Sequence, residues 1–150
     1  MKNLFEAATV EEVKERMALL STDSARHWGK MTSAQAMEHC ARGMELALGD
    51  RRPSRVLIGR ILGPVIKPIA FRDGEPMRRN SPTVPGLVVM EETDLAQGRE
   101  RLCGLVDRFV ASGPGGCTDH PHSFFGRLTP DEWSAWMYKH LDHHLRQFGV

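Results

Sequence analysis

The sequence predicts an all-α fold: a bundle of four substantial helices in one domain, residues 1–150, with one long connection between the second and third. Apolar residues recur at three-to-four spacing in four separate segments, and recognisable start and stop residues frame those segments. No convincing strand alternation competes with them. A chain of 150 residues can bury one core and is too short for two.

The first helix is signalled by Thr9 followed by Glu12, a capping-box arrangement, and by Val10, Val13, Met17 and Leu20 at helical spacing, ending near Leu20 or Ser21. The second starts after Thr32 or Ser33, carries Met37, Cys40, Ala41, Met44, Ala47 and Leu48 on one face, and stops at Gly49. Residues 51–85 hold most of the prolines and more arginine than acid; one short helix is expected around Val56 to Ile66, limited by Pro64 and Pro68. Leu87 to Met90 reads as extended connection, since an isolated strand has nothing to pair with. The third substantial helix follows Thr93, with Leu95, Leu102, Leu105, Val106, Phe109 and Val110 periodic, and ends at Gly113 and Pro114. Thr129, Pro130 and Glu132 give the last helix an N-cap, a proline at the first position and a third-position acid, and it extends to about Phe148.

Twenty basic residues nearly balance nineteen acidic ones, for a net charge of +1, which argues against a dedicated nucleic-acid binder. No stretch approaches the roughly 20 apolar residues of a membrane span, so no membrane partner is expected. Cys40, Cys103 and Cys117 form no CxxC pair and leave an odd count after an N-terminus without an apolar signal segment, which reads as a reduced, cytoplasmic protein. Cys40 and Cys103 sit in apolar helix patterns; Cys117, in a glycine-rich loop, is the thiol expected to be exposed.

The histidines carry the chemistry. At 100° per residue, Trp133, Met137, His140, His144 and Phe148 share one stripe of the last helix, while His143 points away. A lone histidine on an apolar face is ordinarily a hydrogen-bonded core-edge residue. Two in register are costly to bury without a shared partner, and a divalent ion would use both lone pairs. Spacing alone leaves the two readings level. His39, on the second helix, lies beside the main apolar stripe among Ala36, Gly43 and Leu46; those small residues admit a close helix, and spacing does not decide its role. His27, His120 and His122 fall in loops, His122 being the most noteworthy because Ser123-Phe124-Phe125-Gly126 follows it.

Trp28-Gly29-Lys30-Met31-Thr32 leading to His39, then His122-Ser123-Phe124-Phe125-Gly126-Arg127-Leu128, then Tyr138 to Phe148 with its H-x-x-x-H pair, form an ordered set of blocks. In these blocks the chain resembles the DinB-like superfamily, which includes YfiT-type metal-dependent hydrolases and bacterial thiol transferases, and most of all a subset known only as a domain of unknown function. The resemblance implies an antiparallel four-helix bundle, often a homodimer, with a divalent ion at one end held by His39, His140 and His144. Three nitrogen donors leave a coordination position open, as at a catalytic site. Zinc or nickel suits such a site, and manganese or iron is compatible. His122 is a candidate for a place next to the site, its insertion at Pro121-His122-Ser123 counting against a fourth ligand without deciding between the two. Glu38 and Asp142 adjoin ligands in sequence but point to other faces.

Two classes of function follow. One is a metal-dependent enzyme that transfers a low-molecular-weight thiol to an electrophile or hydrolyses a small-molecule substrate, with Arg78 and Arg79 as the most obvious contacts for a carboxylated thiol, although a solvated arginine cluster is the favoured reading of that pair. The other is a noncatalytic metal-binding or protein-interaction bundle. Catalytic residues beyond the ligands are not identifiable from the sequence.

Overall fold

The first helix begins earlier than its capping signal implies. In the computed structural model, which describes residues 2–150, α1 spans Ala7–Ala18 with Glu6 at its N-cap. The Thr9–Glu12 capping box does not form. Thr9 lies inside the first turn, is buried, and donates its hydroxyl to Glu6 Oε2 at 3.0 Å. The hydroxyl is satisfied one turn back and has no orphan N–H to serve.

Helix α2, Ser33–Leu48, starts and stops as expected. Thr32 Oγ1 accepts from Gln35 N, and Gln35 Oε1 accepts in return from Thr32 N. Gly49, at φ 81°, ends it in the left-handed conformation that glycine adopts without strain.

Helix α3, Leu57–Ala70, is longer than the short helix expected and runs through Pro64 and Pro68. Each proline removes one N–H from the helical ladder. Both occupy exposed positions four residues apart, so the carbonyls they release share the solvent side and can bond to water. The described residues therefore form five α-helices, the four expected as substantial and the lengthened α3, and no strand beyond a single antiparallel bridge between His122 and Gly126.

Asp94 caps α4, Leu95–Ser112, through Gln97 N. The expected capping box of Thr129 and Glu132 opens α5, Pro130–Gln147. Short 3-10 turns occupy Pro85–Leu87 and Pro114–Gly116; Leu87 thus ends a turn, and only Val88 onward is extended.

α2 packs against α4 and α5, and α1 against the same two, which surrounds one core of Val13, Met17, Met37, Met44, Leu102, Phe109, Trp133 and Leu141. Arg16 ties α1 to the end of α5 through Asp142 at 2.9 Å and the Val150 carbonyl at 2.9 Å. The packing matters for the site because α2 and α5 meet face to face at Gly43 and His140. A Cβ at Gly43 would lie 2.8 Å from His140 Nδ1, so glycine there is what lets the imidazole sit against the α2 backbone.

Candidate metal centre

The α2–α5 seam brings together His39, His140 and His144, all buried. One ligand atom from each lies within 4.8 Å of the others, and His39 Nε2 and His140 Nε2 are 2.9 Å apart. Ring centroids are separated by 4.8, 4.8 and 4.9 Å, each pair nearly edge to face. Among the described residues no carboxylate or thiol joins this group.

Two of the three tautomers follow from their partners. His39 Nδ1 is 2.8 Å from the Leu87 carbonyl, which can only accept, so Nδ1 carries the proton and Nε2 keeps its lone pair. Gln147 Nε2 donates to the Trp28 carbonyl at 2.7 Å, which turns its Oε1 toward His144 Nδ1 at 2.9 Å; that nitrogen must then donate, freeing Nε2. Gly29, at φ 77°, permits this arrangement, since a Cβ there would lie 2.5 Å from Gln147 Nε2. His140 Nε2 donates to His39 Nε2 in the absence of an ion. Moving that proton to Nδ1 leaves both lone pairs directed into the same space.

Burial favours neutral rings at all three positions. It pushes His144 down to about 3, helped by the neighbouring His39, and holds His140 well below the usual imidazole value, with His39 and His144 adding to the effect. For His39 burial lowers the value while the Leu87 hydrogen bond opposes it. Metals bind neutral imidazole, so the environment prepares the ligand form. The donor spacing, from 2.9 Å to within 4.8 Å, brackets the separation of about 3.4 Å that nitrogen donors take around tetrahedral zinc. The residues present therefore fit a divalent ion.

The remaining histidines lie outside this group. His143 packs against Trp28 at 5.5 Å between ring centroids. His122 Nδ1 accepts from Phe124 N and Phe125 N, its ring stacks on Phe125, and burial lowers it to about 4; its bonds hold the 122–126 loop. His120 meets the Pro53 carbonyl and His27 is exposed. Glu38 pairs with Arg42 and Arg101, and Asp142 with Arg16 and Arg146, so neither faces the three histidines as a base. Cys117 is half-buried rather than exposed, and its thiol is pushed up to about 11. Arg78 and Arg79 are both exposed, and Arg79 stacks over Trp28 at 4.1 Å.

The family described as a protein of unknown function, DUF1569, matches residues 3–149. The chain belongs to the DUF1569 family. No curated protein and no solved structure matches it. In this DUF1569 chain, sequence reasoning missed the parts that orient the three histidines. Gln147 carried a usable signal, lying three residues after His144 on the same helix. The carbonyls of Leu87 and Trp28 carried none, since any residue supplies one.

Proposed function

We propose that the chain is a divalent-metal protein of the DinB-like type, with His39, His140 and His144 as the ligands, and that it acts on a small-molecule substrate. The observation that carries this reading is the convergence of three buried neutral imidazoles, which no carboxylate, thiol or further imidazole among the described residues joins as a fourth donor. A structural site closes its coordination sphere with protein groups, whereas a catalytic one leaves a position for substrate or water. Zinc or nickel suits three nitrogen donors, and manganese or iron is compatible.

The chain's own contribution is orientation. Leu87 and Gln147 hold the outer nitrogens of His39 and His144 and keep their Nε2 atoms turned inward. Gly43 fixes the depth of His140. A divalent ion held there would supply a Lewis-acidic centre that lowers the pKa of a bound water or thiol near neutral pH. Transfer of a low-molecular-weight thiol to an electrophile is the preferred reaction and hydrolysis the runner-up. Arg79, beside Trp28 and hence beside the Gln147 anchor, is the cation best placed for a carboxylated thiol. A homodimer is expected by resemblance only, and nothing in the site requires one.

The test is turnover of metal-loaded protein with a panel of small thiols and electrophilic acceptors. The proposal expects product formation that needs the ion and is lost in His144→Ala. Stoichiometric ion binding with no turnover of any thiol or ester would support a noncatalytic metal-binding or interaction bundle instead.

A further inference from the structure

Helix α3 carries its apolar residues on the outside. Leu57, Ile58, Ile61, Leu62, Val65 and Ile69 are 40–77% exposed, while Gly59 and Gly63 are buried. The glycines press the helix backbone onto the 122–126 loop: a Cβ at Gly59 would lie 2.6 Å from Phe124 Cα, and one at Gly63 2.4 Å from Phe124 O. Lys67 bonds to Glu132 and the Arg127 carbonyl, and the buried Lys139 holds the carbonyls of Ala70 and Arg72 at the far end. The helix is thus anchored along one side and presents a continuous apolar strip on the other, which is unusual for a helix that forms no extensive contact with the other four.

The charges around the strip indicate what meets it. Residues 51–72 contain Arg51, Arg52, Arg55, Arg60, Lys67 and Arg72 and no acid, although the whole chain carries only +1. Arg51 pairs with Glu45 and Lys67 with Glu132, Arg52 and Arg55 donate to the carbonyls of Gly49 and Gly59, and Arg52 and Arg60 are exposed. Pairing α3 with α3 of a second copy would bring two such cationic segments together, which opposes that contact. A basic helix with one strongly apolar face, too short at 14 residues to cross a bilayer, has the make-up of a segment that lies in a membrane interface.

We propose that α3 is a peripheral docking element for an anionic lipid surface, with the Leu57–Ile69 strip entering the headgroup boundary and the exposed Arg52 and Arg60 meeting lipid phosphates. No helix among the described residues is long and apolar enough to cross a membrane, as expected, and the proposal concerns peripheral contact alone. The contact lies on the surface of a bilayer and does not cross it.

Sedimentation of the full chain with vesicles of phosphatidylcholine, alone or mixed with phosphatidylglycerol, tests this. The wild-type chain is expected to sediment with the mixed vesicles, to bind the neutral ones far less, and to release as salt is raised. Ile61→Asp with Val65→Asp is expected to lower binding by at least about tenfold, because each change removes an apolar side chain from the contact and adds a like charge to the lipid's. Both side chains are exposed, so circular dichroism and melting temperature should be unchanged. Absence of the wild-type chain from the mixed vesicles, or undiminished binding of the double variant, overturns the proposal. So does a dimer that the double variant abolishes without any vesicle binding, which would assign the strip to a second copy.

Discussion

His39 and His140 stand 101 positions apart in the chain, yet their Nε2 atoms are 2.9 Å apart at the seam of α2 and α5. The contact is too close for two charged rings, and burial keeps both neutral. Gly43, one turn along α2 from His39, is the packing feature that permits it.

Gly43→Ala tests that feature. A methyl group placed 2.8 Å from His140 Nδ1 and 2.9 Å from Cε1 must displace the ring or the helix. Overpacking of this kind costs about 1–3 kcal/mol, more than the 0.5–1 kcal/mol gained by replacing glycine in a helix. Urea denaturation should show a net loss of stability, and metal content should fall with it. A stable variant with full metal content would show that His140 is not held by this contact.

Gln147→Leu removes both hydrogen bonds of the His144 anchor while keeping an apolar side chain of similar size. The Trp28 carbonyl and His144 Nδ1 both lose their partner. Affinity for the ion should fall by about 10–100-fold, read by competition with a chromophoric chelator, whereas His143→Ala should leave it unchanged. Equal affinity in Gln147→Leu would mean that His144 needs no such support.

How much of this was legible depends on which groups signal themselves. The caps at Thr32 and Thr129 and the stripe through His140 and His144 are local, and both survive folding unchanged because nothing nonlocal competes with them. Thr9 misled because the same hydroxyl can bond backward to Glu6 instead of forward into a cap. The prolines of α3 misled because their cost falls on carbonyls that face water. His39 could not be assigned from spacing, since its role depends on α5 lying across Gly43 and on a carbonyl contributed from the 85–87 turn.

The ion-free protein should lose stability on acidification before its carboxylates titrate. His144 and His122 are lowered to about 3 and about 4, and His39 and His140 are lowered too, so each stays neutral in the folded state while the unfolded chain takes up protons below about pH 6.5. Stability is therefore greatest above pH 6.5 and falls as pH drops toward the folded values, by up to about 1.4 kcal/mol per pH unit for each such histidine. Melting temperature followed from pH 8 to about pH 4 checks this. A profile that is flat through this range, or that rises on acidification, would contradict the buried neutral state.

The central claim is that three particular histidines hold an ion. It is tested most directly by elemental analysis of the untagged protein, purified without chelator, beside His143→Ala and a variant combining His39→Ala, His140→Ala and His144→Ala. The account predicts near-stoichiometric metal in the parent and in His143→Ala, and none in the triple variant. No metal in the parent even after reconstitution with zinc, nickel and manganese, or equal loss in His143→Ala, would contradict it and leave the three rings as a hydrogen-bonded polar cluster in the bundle.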